Sequence, residues 1–289
     1  MVQYKEGTFT LVLIRHGQTT GNRDGIQQGQ LDYPLTKRGI LSAKILGLSL
    51  KNVEWTGIWS SDLPRSVKTA CYLLEQRCVP LEAWNDAIFD SSDLLDADVM
   101  PLDLSTLEAR INKTVHLSVL AREVCKGCRE GLPKNLTMDE ARAIVAQKRG
   151  VPVESVVDCS ETYDQIVSRQ RQLLHDIIRS YYSDVTEKSQ STVLSENCSN
   201  DWGNVLVVTH GKFIKVFLNS WCGLPEISIQ NCSISKIKVS YKWDGTHVLS
   251  DSIQCTCDSE CLNFTHHLPE SYEKCEISNK ISSIIQNPF

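Results

Sequence analysis

No apolar run in the 289-residue chain approaches the ~18–20 residues that a membrane-spanning helix requires, so no membrane span is expected. The first residues, MVQYKEGTF, lack the basic stretch and apolar core of a secretory signal, which makes the cytoplasm the expected location. A surplus of positive charge is also missing. Lys and Arg number 30 against 35 Asp and Glu, for a net charge of −5, so no basic face advertises nucleic acid or anionic lipid. No repeat of solenoid period is visible. The chain has twelve cysteines but no paired Cys-x2-Cys ribbon or finger. Its densest group is Cys255, Cys257 and Cys261, followed by His266 and His267. Zinc there is the lesser alternative to plain thiols. Without a secretory signal the thiols are expected to be reduced, as core and tail residues.

What is present begins with two similar strings. Residues 8–17 read TFTLVLIRHG and residues 204–211 read NVLVVTHG. Each is a short apolar run, consistent with a central strand buried on both faces, that ends at His-Gly. Between them, TKRGILSAKILGLSL has helical spacing with Thr36 as its N-cap. WTGIWSSD reads as a strand over 57–60. LPRSVKTACYLLEQR reads as a helix with Asp62 as cap and Pro64 in its first turn. This alternation predicts a parallel sheet with helices on both faces.

Helical periodicity is also expected over 105–122, 138–150 and 161–182. Residues 184–203 are polar and Ser-rich and read as a mobile loop. GKFIKVFLNSW reads as a helix. SISKIKVSYKW and THVLSDSIQC read as a hairpin around Asp244-Gly245. The expected organisation is one domain over 1–258 with an insertion near 90–118, followed by a tail over 259–289 without clear pattern.

Ligands of parallel α/β sheets bind beyond the carboxyl ends of the strands. His16 and His210 both stand at such ends, and strands ending alike can lie side by side. Arg15 precedes His16, and Arg65 follows the third strand in SSDLPR. Two guanidiniums and two imidazoles favour an anion with several oxygens, and phosphate suits the arginine fork best. A single strand-terminal His carries little weight alone; the ordered set of strand-RHG, SD-x-x-R and strand-HG carries much more. Lys212 reads as a surface lysine that could instead draw an anionic substrate.

LIRHGQTTGN, QGQLDYPLTKRG, SSDLPRSVKTA, ETYDQIVSR and VLVVTHG together resemble the histidine phosphatase superfamily. The resemblance covers roughly residues 8–220, and QGQ-x-D-x-PL with SSDL-x-R is closest to its fructose-2,6-bisphosphatase branch. It implies a three-layer α/β/α sandwich of the phosphoglycerate mutase type with a mostly parallel central sheet. It also implies phosphomonoester hydrolysis, with a sugar bisphosphate such as fructose 2,6-bisphosphate as substrate. By the same resemblance His16 is the nucleophile that becomes phosphohistidine. Arg15, Arg65, Asn22 and His210 surround the phosphoryl oxygens, and Gln28 and Gly29 touch substrate. No metal or other cofactor is needed. The partner is a small phosphorylated molecule.

The family's acid segment is not where the spacing expects it. LAREVCKGCREG (120–131) lines up after an insertion, making Glu123 the general acid, with Val124 in place of an arginine. Asp93, Asp96 and Glu130 remain alternatives. A phosphoglycerate mutase-type phosphotransferase and a phosphate-binding regulatory protein without turnover are the competing readings.

Overall fold

The structure, a computed structural model, describes residues 4–78, 103–189, 201–244, 248–257, 262–270 and 274–286. In chain order it contains β1 (Lys5–Arg15), a one-turn α1 (Thr20–Arg23), α2 (Lys37–Ser49), β2 (Trp55–Ser61) and α3 (Pro64–Glu75). Then follow α4 (Leu104–Ile111), β3 (Val115–Ser118), α5 (Met138–Arg149) and α6 (Tyr163–Ser189). The chain continues with β4 (Asp201–Thr209), α7 (Gly211–Cys222), β5 (Ile234–Trp243), β6 (Gln254–Thr256) and α8 (Lys274–Gln286).

The strands form one sheet in the order β3-β2-β4-β1-β5-β6. The β3-β2-β4-β1 portion is parallel, and β5 and β6 add antiparallel strands at one side. Alternation along the central strands divides the core. Leu11, Leu13, Val205 and Val207 pack on one face with Leu174, Ile178 and Phe217 of α6 and α7. Val12, Ile14, Leu206 and Val208 pack on the other with Leu46 and Leu73 of α2 and α3. A strand buried on both faces has no solvent side, which is why its sequence reads as a continuous apolar run. Each of these side chains contributes about 1.5–3 kcal/mol by burial. The result is the expected three-layer α/β/α sandwich.

Several local expectations need correction. Asp62 does not cap α3; Leu63 occupies that position without a side-chain bond, and the Asp62 carboxylate pairs with Arg122 instead. The stretch 105–122 is α-helical only to Ile111; Val115–Ser118 joins the sheet beside β2 and Val119–Ala121 forms a 3-10 turn. Within 184–203, helix α6 continues to Ser189 and β4 begins at Asp201; residues 190–200 lie outside the described residues. The strand expected from THVLSDSIQC is reduced to an isolated bridge between Trp243 and Val248, a 3-10 turn and the three-residue β6. Gly245 of the expected turn lies outside the described residues. The tail carries α8, which the sequence reading missed.

Candidate active site

The sheet register brings the two histidines together. Arg15 stands opposite Thr209 in the parallel β1–β4 ladder, and the His16 amide donates to the Thr209 carbonyl at 2.9 Å. The next residue on each strand is therefore His16 on one and His210 on the other. Their ring centroids lie 5.1 Å apart at an interplanar angle of 60°. Both rings are buried.

Hydrogen bonding orients each ring. Nδ1 of His16 lies 2.7 Å from the Gly17 carbonyl. A carbonyl only accepts, so Nδ1 carries the proton and Nε2 keeps its lone pair. Nε2 of His210 lies 2.9 Å from Ser61 Oγ and 3.2 Å from Ser66 Oγ, while its buried Nδ1 has no partner. Burial lowers the pKa of both imidazoles well below the usual 6.5. Arg65 and Arg15 add to the shift at His16; at His210 the next cause is His16 itself. Both rings are therefore held neutral.

Arg65, only 1% exposed, is anchored by the loop after α1. Its guanidinium donates to the Gly29 and Leu31 carbonyls, each at 2.7 Å, and to the Asp32 carboxylate at 3.1 Å. A buried, unpaired guanidinium would cost several kcal/mol, and these acceptors offset that cost. Arg15 donates to the Ile229 carbonyl at 2.6 Å. In each arginine the Nε is buried and without a partner.

Glu123 sits at the start of α7. His210 occupies the N-cap position there but makes no side-chain cap bond. Glu123 takes up the free amides instead: Oε1 accepts from Phe213 at 3.2 Å and Val124 at 2.8 Å, and Oε2 from Lys212 at 3.3 Å. Its backbone is also fixed. The Glu123 carbonyl accepts from Gln30 Nε2, while Arg169, paired with Glu161, donates to the Leu120 and Arg122 carbonyls.

A cavity of about 440 Å³ opens over this arrangement, lined by Arg15, His16, Asn22, Gln28, Gly29, Arg65 and Glu123, among others. These expected site residues all meet at one cavity; His210, whose ring centroid is 5.1 Å from that of His16, is not among its lining residues. Asn231 ties Asn22 to the end of β1 by donating to Asn22 Oδ1 and to the His16 carbonyl. Gln28 is buried and accepts from the Thr19 hydroxyl. Gly29 has φ +52, and a Cβ there would overlap the Glu130 carboxylate. Of the alternative acids, Glu130 accepts the Gln30 and Lys126 amides and is absent from the lining, while Asp93 and Asp96 lie outside the described residues.

The sequence reading missed the remaining cations of the wall: Lys126, Arg129, Lys134 and Lys215. The cluster KGCREGLPK was the available signal. Lys212 also lines the cavity, rather than standing on an unrelated surface, and pairs with Glu226 at 2.6 Å. Among the described residues no group of three or more His, Cys, Asp or Glu is placed to hold a metal ion; Cys261 lies outside them. No helix of the described residues is long and apolar enough to cross a membrane.

A family model described as histidine phosphatase superfamily (branch 1) matches residues 11–87 and 105–250. Fructose-2,6-bisphosphatase TIGAR of Bos taurus is 27% identical over 226 residues, covering 73% of this chain and 76% of the relative. The corresponding protein of Xenopus tropicalis is 43% identical over 68 residues, covering 23% of this chain and only 25% of the relative's length. Among solved structures, a phosphoglycerate mutase from Bacillus anthracis aligns with TM-score 0.52 and 20% identity, covering 91% of this chain and 96% of that one. A mycobacterial glucosyl-3-phosphoglycerate phosphatase aligns with TM-score 0.52 and 22% identity, covering 87% and 97%. These structural likenesses show the fold.

Proposed function

The chain belongs to the histidine phosphatase superfamily, and from that premise we propose that it hydrolyses a sugar bisphosphate such as fructose 2,6-bisphosphate through a phosphohistidine intermediate. The observation that carries this reading is the pair of buried, unpartnered Nε groups on the two arginines that line one cavity with His16, whose Nε2 keeps its lone pair. Such donors, already desolvated, stabilise charge that develops on phosphoryl oxygens.

In the first step His16 Nε2 attacks phosphorus. Arg15, Arg65 and Asn22 hold the equatorial oxygens, and the partnerless Nδ1 of His210 is the group proposed to join them, with Nε2 accepting from a serine hydroxyl. The leaving alkoxide needs a proton, and Glu123 on the cavity wall is the group proposed to give it. In the second step the Glu123 carboxylate takes a proton from water, and that water displaces His16 from phosphorus. The guanidiniums supply the positive charge that other phosphoryl-transfer sites obtain from magnesium.

The cationic wall supports a substrate with more than one phosphate. Lys126, Arg129, Lys134 and Lys215 make no ion pair with any described residue. A chain of net charge −5 that gathers four cations without a salt bridge around one cavity favours a polyanionic ligand there. The relatives named for fructose 2,6-bisphosphate point the same way. The cytoplasm, where sugar phosphates reside, is the proposed compartment.

The test is phosphate release by the purified protein from fructose 2,6-bisphosphate, with 3-phosphoglycerate in parallel. Release from the bisphosphate, absent in the His16→Ala variant, is expected. Isomerisation of phosphoglycerate without release would replace hydrolase by mutase. Equal inactivity of wild type and variant on a panel of phosphomonoesters would end the enzymatic reading.

A further inference from the structure

The acid-bearing segment carries a feature that phosphoryl transfer does not use. Residues 125–127 lie flat against residues 158–161. The Cys125 carbonyl accepts from the Glu161 amide at 3.1 Å, and the Cys125 amide donates to the Glu161 carboxylate at 3.4 Å. Gly127, at φ +55, completes the approach; a Cβ there would stand 2.8 Å from the Ser160 amide and 2.9 Å from its hydroxyl. Between these strips, Cys125 Sγ lies 3.6 Å from the Cys159 carbonyl oxygen. That contact puts the sulfur within about 6 Å of the Cys159 Cα by standard bond lengths.

We propose that Cys125 and Cys159 are an intramolecular disulfide site, oxidised by a peroxide and reopened by a dithiol. The geometry is compatible with the bond. In a disulfide each sulfur stands roughly 3–4.5 Å from the partner's Cα, so the bound of about 6 Å leaves about 2 Å to be closed by rotation of Cys159 and movement of its exposed loop. Access favours this pair. Cys159 is exposed and Cys125 half-buried, whereas Cys71, Cys232 and Cys255 are buried. Cys128 sits on the same loop but its sulfur packs at 3.6 Å from that of Met138.

The chemistry balances with one peroxide. The exposed Cys159 thiolate attacks a peroxide oxygen; an S–O bond forms, the O–O bond breaks and one water leaves. Cys125, as thiolate, attacks the resulting sulfenic sulfur; the S–S bond forms, the S–O bond breaks and a second water leaves. Two thiols are oxidised and one peroxide is reduced. Burial raises the Cys125 thiol pKa, so the closing step quickens as pH rises.

The bridge would act on turnover through Glu123, two residues before Cys125 in the chain. Pulling Cys125 toward Cys159 loads the short segment that aligns the carboxylate with α7. A displacement of about 1 Å at such a group lowers turnover by roughly ten-fold or more. Only this consequence rests on the phosphatase reading; the bridge itself does not.

The full chain is treated with hydrogen peroxide, its remaining thiols are blocked, and a non-reducing digest is read by mass spectrometry. A cross-linked peptide pair carrying Cys125 and Cys159, lighter by two hydrogens than its parts, is expected in the wild type. It should be absent from Cys159→Ser and Cys125→Ser and should vanish with dithiothreitol. In parallel, oxidation should lower phosphate release by wild type reversibly and leave Cys159→Ser unaffected. Cys159 found only as sulfinic acid, or only in an intermolecular bridge, would overturn the proposal. Cross-linking in a protein without phosphatase activity would instead count against the proposed function alone.

Discussion

The rings of His16 and His210 meet at a centroid distance of 5.1 Å although 193 residues separate them, because Arg15 and Thr209 are partners in a parallel ladder. Burial depresses both pKa values most, and repulsion from Arg65 and Arg15 at His16, and from His16 and the two arginines at His210, adds to it. The sign for stability follows from proton uptake. Below the usual histidine value of 6.5 the unfolded chain binds protons that the folded rings refuse. Stability from these two groups is therefore present above that value and falls as pH drops through it toward the depressed folded values. Thermal unfolding from pH 8 to 5 should show this decline, with a shallower slope in His16→Ala over about that range. An imidazole NMR titration with either ring protonating near 6.5 would contradict it.

Among the described residues, His16→Ala removes the only group in the cavity wall with an oriented nitrogen lone pair. Turnover should fall by about three orders of magnitude or more, as when a covalent nucleophile is deleted. Rapid acid quench with labelled substrate followed by phosphohistidine analysis checks the cause. Labelled wild type beside unlabelled variant is the expected result, and labelling of both would move the nucleophile elsewhere.

Glu123→Gln keeps an oxygen for the Phe213 and Val124 amides and removes the transferable proton. A fall in kcat of about 10²–10⁴ is expected for an alkyl phosphate. With p-nitrophenyl phosphate, whose leaving group needs little protonation, phospho-enzyme should still form and then accumulate. Quench-flow that finds nitrophenol bursts and slow phosphate release would agree. Unchanged turnover of both substrates would assign the acid to another residue.

Legibility in the sequence followed burial. The strands ending in RHG and THG were readable because both faces of β1 and β4 are buried, and the paired ladder then placed two distant histidines together. Glu123 was reached through family resemblance rather than periodicity, since its segment is a chain of short turns held by Gln30, Arg122 and Arg169. β3 was read as helix because four residues, VHLS, carry too little pattern to distinguish the two. The assignment of Asp62 as a cap failed because an arginine sixty residues later competes for its carboxylate. Lys126, Arg129, Lys134 and Lys215 were missed for the same kind of reason. The cations on the turns of 126–134, and Lys215 on α7, look solvated until tertiary structure gathers them around one opening.

Those four cations give the sharpest separation between a phosphomonoester site and a bisphosphate site. Lys126 is half-buried, with its pKa lowered by burial, and Arg129 has a buried Nε without a partner. Each would gain from a second phosphate, and neither belongs to the group set against the transferred one. Lys126→Ala and Arg129→Ala should each lower kcat/KM for fructose 2,6-bisphosphate by about ten-fold, the loss of one charge-assisted hydrogen bond of roughly 1.5 kcal/mol. Turnover of p-nitrophenyl phosphate should change by less than about two-fold, because it has no second phosphate to lose a partner. Added salt should likewise depress the bisphosphate reaction more steeply, since charges at the open side of the cavity are screened. Parallel losses for both substrates would instead tie the two cations to the reacting phosphoryl group, and the bisphosphate would lose its structural support.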